Sequence, residues 1–143
     1  MAYDAYRDPY ARRVRAHQQR LTFEQIKRTT SFHSWKNRQM KVQKEKCAWC
    51  HIPLTSDNIR THVDHVTPLF YEGANDFSNL VLSCSRCNLK KWVNNSYVVP
   101  DWVKENDLAM RAKQRLDALR RTQYAQAVAL NDELIFDEIR ARL

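Results

Sequence analysis

All four cysteines of the chain fall in two Cys-x-x-Cys pairs, Cys47-Ala48-Trp49-Cys50 and Cys84-Ser85-Arg86-Cys87. Such a turn lets two thiolates reach one ion at tetrahedral angles, and two turns close the four-coordinate site that structural zinc prefers. The pattern therefore ties residues 47–50 to residues 84–87 and constrains everything between them. Two disulfides or a redox pair are the other uses of these spacings. A redox pair needs only one Cys-x-x-Cys, and disulfides belong mainly to secreted chains. Residues 1–15 are charged and lack an apolar run, which predicts no signal peptide and a cytoplasmic protein. No stretch approaches the roughly 18–20 apolar residues of a bilayer span. We therefore expect structural zinc on Cys47, Cys50, Cys84 and Cys87, with no coordination position left open for chemistry.

A chain of 143 residues suits one compact domain with helical extensions. Residues 10–28 predict a helix, with Tyr10, Val14, His17 and Leu21 spaced along one face and Arg12, Arg13, Arg15 and Arg20 covering much of the rest. A second helix is expected over 34–46, its apolar contacts being Trp35, Met40 and Val42. Helical periodicity stops at residue 47. Residues 59–66 and 77–83 read as short strands, and 85–94 as a short helix. Gly73, the only glycine, sits in a polar loop, where glycine usually supplies a backbone angle that other residues resist. Beyond Pro100, with Asp101 as N-cap, a helix is expected over 102–128, carrying Leu108, Ala112, Leu116 and Leu119 on one face. Asn131-Asp132 breaks that pattern, and 133–143 predicts a last short helix using Ile135, Ile139 and Leu143.

Charge is unevenly spread. Residues 1–46 hold twelve Lys and Arg against four Asp and Glu, whereas 47–100 hold four of each and 101–143 eight of each. The whole net charge of +8 therefore resides in the N-terminal third. Such a block attracts polyanions and steers their approach, unless it is only a solvated helix face.

Between the cysteine pairs lies His62-Val63-Asp64-His65-Val66-Thr67-Pro68-Leu69, followed by Asn79-Leu80-Val81-Leu82. Directly after the last cysteine comes Asn88-Leu89-Lys90-Lys91. Hydrolysis of a phosphodiester needs a base for water and a cation for the charge that builds on phosphate. Neighbouring strand residues point to opposite faces, so Asp64 can hold a metal while His65 addresses water if the strand ends near Pro68. An Asp64 carboxylate with an Asn88 amide oxygen makes a sparse oxygen site of the kind Mg²⁺ or Mn²⁺ accepts, completed by water and phosphate. His62 falls on the Asp64 face and is either a third ligand or a structural or DNA-facing group.

These residues resemble the HNH endonucleases with paired Cys-x-x-Cys knuckles. The intervals of fourteen residues from His65 to Asn79 and twenty-three from His65 to Asn88 are similar to those in the HNH domain of the CRISPR effector nucleases. The resemblance covers residues 47–91. It implies two antiparallel strands and a helix gripping one catalytic metal. It further implies His65 as general base, Asp64 and Asn88 as metal ligands, and Asn79 as the residue that steadies the loop and orients the base. Lys91 would contact phosphate. Arg86 and Lys90 would either do the same or be solvated. The closing residue is Asn rather than His, making an H-N-N variant, and the loop has one glycine where many relatives have two.

The expected fold is therefore α+β and mainly helical: a ββα-metal HNH core with structural zinc over 47–95, a basic helical N-terminal extension over 1–46, and a C-terminal helical extension over 96–143. The expected activity is metal-dependent hydrolysis of DNA, with Arg12, Arg13, Arg15 and Arg20 as backbone contacts. The rival functions are a zinc-knuckle DNA-binding module without catalysis and an RNA-cleaving nuclease or toxin. The face carrying Leu108, Leu116 and Leu119 is either an intramolecular core face or a homodimer seam.

Overall fold

The computed structural model describes residues 8–55 and 60–142, apart from the side chains of 135 and 136. Ile59, the Ile135 side chain and Leu143 lie outside the described residues. The chain divides into two compact units, Met1–Asn106 and Asp107–Leu143. It is α+β and mainly helical, with one two-stranded antiparallel sheet among the described residues.

Helix α1 spans Pro9–Ile26. Asp8 caps it, accepting from the Tyr10 amide at 2.9 Å, and Pro9 suits the first turn, where its missing N–H costs nothing. The face that α1 buries differs from the one its hydropathy predicts. Tyr10 is 74% exposed and Leu21 55%, while Phe23 is buried and Ile26 packs beside it. Polar side chains make the other contacts of the docked face. Arg12 lies over the Tyr71 ring, 5.5 Å from its centroid, and Arg15 pairs with Glu72 at 3.2 Å. Apolar spacing finds this helix but misplaces its docked face.

Helix α2 spans Thr30–Val42, four residues earlier at each end than expected. The Thr29 hydroxyl accepts from the Phe32 amide at 3.2 Å, an N-cap bond that fixes the start. Phe32, Trp35, Gln39 and Val42 are buried at helical spacing. Phe23, Phe32 and Trp35 join Leu80, Leu82 and Leu54 in one core, so both helices furnish the apolar layer under the sheet.

Strand β1, Thr61–His65, pairs antiparallel with β2, Leu80–Cys84, with Asp64 opposite Val81 and His65 opposite Leu80. Residues Phe77–Asn79, expected to open the second strand, form a 3₁₀ turn instead, its start capped by Asp76. A second 3₁₀ turn, Leu69–Tyr71, follows Pro68 and packs against α1. Helix α3, Ser85–Lys91, continues from β2, completing a ββα unit. The far side of β2 is closed by a side chain. Gln43, fully buried, donates to the Leu82 carbonyl at 2.8 Å and accepts from the Leu82 amide at 2.9 Å. Its amide thus replaces one residue of a third strand.

Helix α4 runs unbroken over Asp101–Arg142, through Asn131 and Asp132. The expected break does not occur because neither residue forbids helix; at exposed interior positions each costs only about 0.7 kcal/mol relative to alanine. Within Asp107–Leu143, Leu108, Leu116 and Leu119 are all exposed. No helix among the described residues is long and apolar enough to cross a membrane.

Candidate active site and metal centre

The ligand atoms of Cys47, Cys50, Cys84 and Cys87 all lie within 4.8 Å of one another. The Cys50 and Cys84 sulfurs are 3.7 Å apart, close to the roughly 3.8 Å edge of a sulfur tetrahedron built with zinc–sulfur bonds of about 2.3 Å. Backbone amides are aimed at the same sulfurs. Trp49 and Cys84 donate to Cys47 Sγ at 3.4 and 3.3 Å, and Cys87 donates to Cys84 Sγ at 3.4 Å. Burial pushes the Cys47 and Cys87 thiols up, with neighbouring sulfurs adding to the effect at Cys87. Burial acts upward at Cys84 too, but hydrogen bonds from Cys87, Cys50 and Cys47 outweigh it and its pKa is lowered. The four sulfurs are close enough to hold one metal ion, and the donor set fits zinc.

One cysteine turn reaches the ββα unit directly. Trp49, between Cys47 and Cys50, donates its indole N–H to Asp64 Oδ2 at 2.9 Å. Asp64 is buried at the end of β1, and its other oxygen accepts from Lys91 Nζ at 3.1 Å. Lys91, expected at phosphate, is 1% exposed. Its ammonium also donates to the His65 carbonyl at 2.7 Å and lies 5.6 Å from the Tyr97 ring centroid. Buried and held by these groups, the Lys91 ammonium serves as the ion-pair partner of Asp64, a placement that does not offer it openly to phosphate. Arg86 and Lys90, on the same short helix, are exposed.

Each Asp64 oxygen carries one hydrogen bond and keeps lone-pair capacity. Asn88, on α3, lies with its amide nitrogen 3.4 Å from His62 Nδ1. With the nitrogen turned to that acceptor, the Asn88 oxygen is not engaged by His62. His62 therefore acts as a partner of Asn88. Two hard oxygen donors beside a cleft fit Mg²⁺ or Mn²⁺.

The loop from β1 to β2 is closed by Asn79. Its Oδ1 accepts from the Thr67 amide at 2.9 Å, and its Nδ2 donates to the Thr67 and Ala74 carbonyls, each at 3.0 Å. Gly73 serves this loop by close approach rather than by an unusual angle. A Cβ on Gly73 would lie 1.7 Å from the Thr67 carbonyl oxygen. The left-handed residue here is its neighbour Glu72, at φ 64°.

His65 is half-buried. Its Nε2 lies 2.8 Å from Asn75 Oδ1, and the Phe23 ring meets it edge-on at 4.6 Å between centroids. Burial lowers the His65 pKa, and the Lys91 and Arg20 charges act the same way. The hydrogen bond to Asn75 and the Asp64 charge oppose them. The net effect favours the neutral ring, the form a general base needs.

Asp64, His65 and Asn88 line one cleft of about 640 Å³, together with Arg13, His17 and Arg20 of α1. Three of these six were expected at chemistry and two in a DNA-binding arm. His17, read as part of an apolar helix face, is exposed toward the same cleft. Sequence reasoning also missed Trp49, Asn75 and Gln19. The spacing of His17 from Arg13 and Arg20 gives it a place on the arginines' helix face, which is a signal that could have found it. Trp49 fills an unspecified position inside a cysteine pair, and Asn75 a loop position with no periodicity.

No curated protein and no solved structure matches the chain. Residues 47–92, which span both cysteine pairs, the two strands and α3, match the model of the family described as HNH endonuclease.

Proposed function

We propose that the protein is a metal-dependent endonuclease that hydrolyses DNA phosphodiester bonds. One observation carries this reading: the imidazole of His65, two oxygen-bearing side chains and a basic helix face share a single cleft. His65 takes the proton of the attacking water. Asp64 and Asn88 would hold a divalent Mg²⁺ or Mn²⁺, which when bound would stabilise negative charge on the phosphate and the leaving oxygen. Trp49 and Lys91 fix the Asp64 carboxylate, His62 fixes the Asn88 amide, and Asn79 holds the loop beside His65. Arg13, His17 and Arg20 attract the phosphate backbone. Zinc on the four cysteines ties the start of the domain to α3 and performs no chemistry, since all four positions are filled by thiolate.

The test is incubation of supercoiled plasmid with the purified protein and Mg²⁺, Mn²⁺ or chelator. Nicking that needs the divalent ion is expected. His65→Ala should lose it by about 100-fold or more while keeping zinc content, melting temperature and DNA affinity. Cleavage at the wild-type rate by His65→Ala would refute the assignment. Salt-dependent binding with no cutting under any ion would favour a binding module instead.

A further inference from the structure

The Asn75 amide has an orientation that its partners dictate. Its nitrogen donates to the Gln19 backbone carbonyl at 2.8 Å and to Gln19 Oε1 at 3.1 Å. A carbonyl oxygen only accepts, so the amide nitrogen must face α1 and the amide oxygen must face His65. That oxygen lies 2.8 Å from His65 Nε2 and also only accepts. The proton of the neutral imidazole is therefore on Nε2, and Nδ1 keeps the ring's one available lone pair. The backbone beside Asn75 is fixed as well, since Asn79 donates to the Ala74 carbonyl at 3.0 Å. Phe23, four residues after Gln19 on α1, sets the imidazole plane.

We propose that Asn75, oriented by Gln19, is the positioning residue that holds His65 in its Nε2–H tautomer, making Nδ1 the atom that receives the proton of water. The proposal rests on the reading of His65 as general base. In the step, a water O–H bond breaks and its proton goes to Nδ1. The water oxygen forms the new bond to phosphorus, the bond from phosphorus to the leaving oxygen breaks, and that oxygen takes a proton from solvent. Nε2–H stays where it is and its bond to Asn75 strengthens, because the donor has become cationic. Helix α1 is then part of the catalytic apparatus as well as a basic surface, and Asn79 acts on the base through Ala74 and Asn75.

The experiment uses the full chain with ¹⁵N-labelled histidine imidazoles, His65 being assigned by comparison with His65→Ala. Long-range proton–nitrogen spectra of the neutral ring should show Nε2 protonated and Nδ1 bare in the wild type. Asn75→Ala should mix the two tautomers and lower kcat for plasmid nicking by about 10- to 100-fold, with KM and DNA affinity unchanged. Asn75→Asp keeps an acceptor oxygen for Nε2–H and should retain the tautomer of the neutral ring, but it sets its second oxygen against the two Gln19 acceptors and its charge favours the imidazolium, so its kcat should stay below that of the wild type. If Asn75→Ala loses its fold or zinc, the Asn75→Asp spectrum decides, and a proton on Nδ1 there overturns the proposal. A wild type that nicks DNA with His65 protonated on Nδ1 overturns this proposal alone, as does an Asn75→Ala variant with unchanged spectrum and kcat. A wild type that cuts nothing overturns the general-base reading and this proposal together, and the spectrum, read without cleavage, tells the cases apart.

Discussion

Lys91 brings a full positive charge into the interior, and its partners explain how that is tolerated. Asp64 supplies the opposite charge at 3.1 Å, and the His65 carbonyl and the Tyr97 ring take up the rest of the ammonium. Removing one member of such a buried pair strands the other, which costs about 3–5 kcal/mol. Lys91→Met should therefore lower the unfolding free energy by about 3 kcal/mol or more, measured by chemical denaturation with zinc present. The salt dependence of DNA binding should stay where it is. A stable Lys91→Met variant with a flattened salt slope would mean that the ammonium meets phosphate after all. The position illustrates what residue-scale reading can and cannot reach. Asp64, His65 and Asn88 were singled out by their chemistry and do line one cleft, whereas the loop-steadying place of Asn79 came from the family resemblance and is matched by its bonds to Thr67 and Ala74. A lysine near such a motif is equally consistent with solvent and with a buried pair, and only tertiary packing separates the two. Gly73 gave a true signal with the wrong cause, since a glycine required by close approach looks the same in sequence as one required by a positive φ.

At the scale of elements, the ββα unit was readable and its borders were not. Strand β1 ends at His65 and β2 begins only at Leu80, because Asp76 caps a 3₁₀ turn over the residues that hydropathy would add to the strand. Gln43 had no signal at all. It ends α2 as a polar C-cap residue, yet its amide satisfies both backbone groups of Leu82 and accepts from Gln39 Nε2 at 3.0 Å. Gln43→Leu keeps the volume and removes these bonds. With the Leu82 amide and the Gln39 side chain stranded inside, and each buried orphan costing about 1–3 kcal/mol, the variant should lose about 3 kcal/mol or more. Hydrogen exchange offers the local check: the Leu82 amide should lose more protection than that of Asp64, on the neighbouring strand. Equal loss along both strands would mean that Gln43 stabilises only through packing. The same reasoning explains α4, where Asn131 and Asp132 sit in continuous helix because their propensity cost is small and no proline intervenes.

For the molecule as a whole, the concentration of positive charge in residues 1–46 was legible as a count, but its division of labour was not. Two arginines of α1 hold the helix down, Arg12 on Tyr71 and Arg15 on Glu72. Two others, Arg13 and Arg20, line the cleft with His65. If DNA lies in that cleft, the pairs must behave differently when changed to glutamine, which preserves helix propensity. Arg13→Gln with Arg20→Gln should flatten the slope of log affinity against log salt by roughly 2, since each duplex phosphate contact contributes about 0.9. Binding should weaken about equally on all sequences, because such contacts position the backbone without reading bases. Arg12→Gln with Arg15→Gln should leave that slope within about one contact of the wild type and instead loosen α1. The expected sign is a lower melting temperature and a lower kcat, as Gln19 and Phe23 lose their places beside Asn75 and His65. The measurement is fluorescence anisotropy on a labelled duplex across a salt series, with nicking followed at saturating protein. Equal slopes for the two double variants would remove the cleft-facing helix as the DNA contact and return the arginines to a merely solvated face.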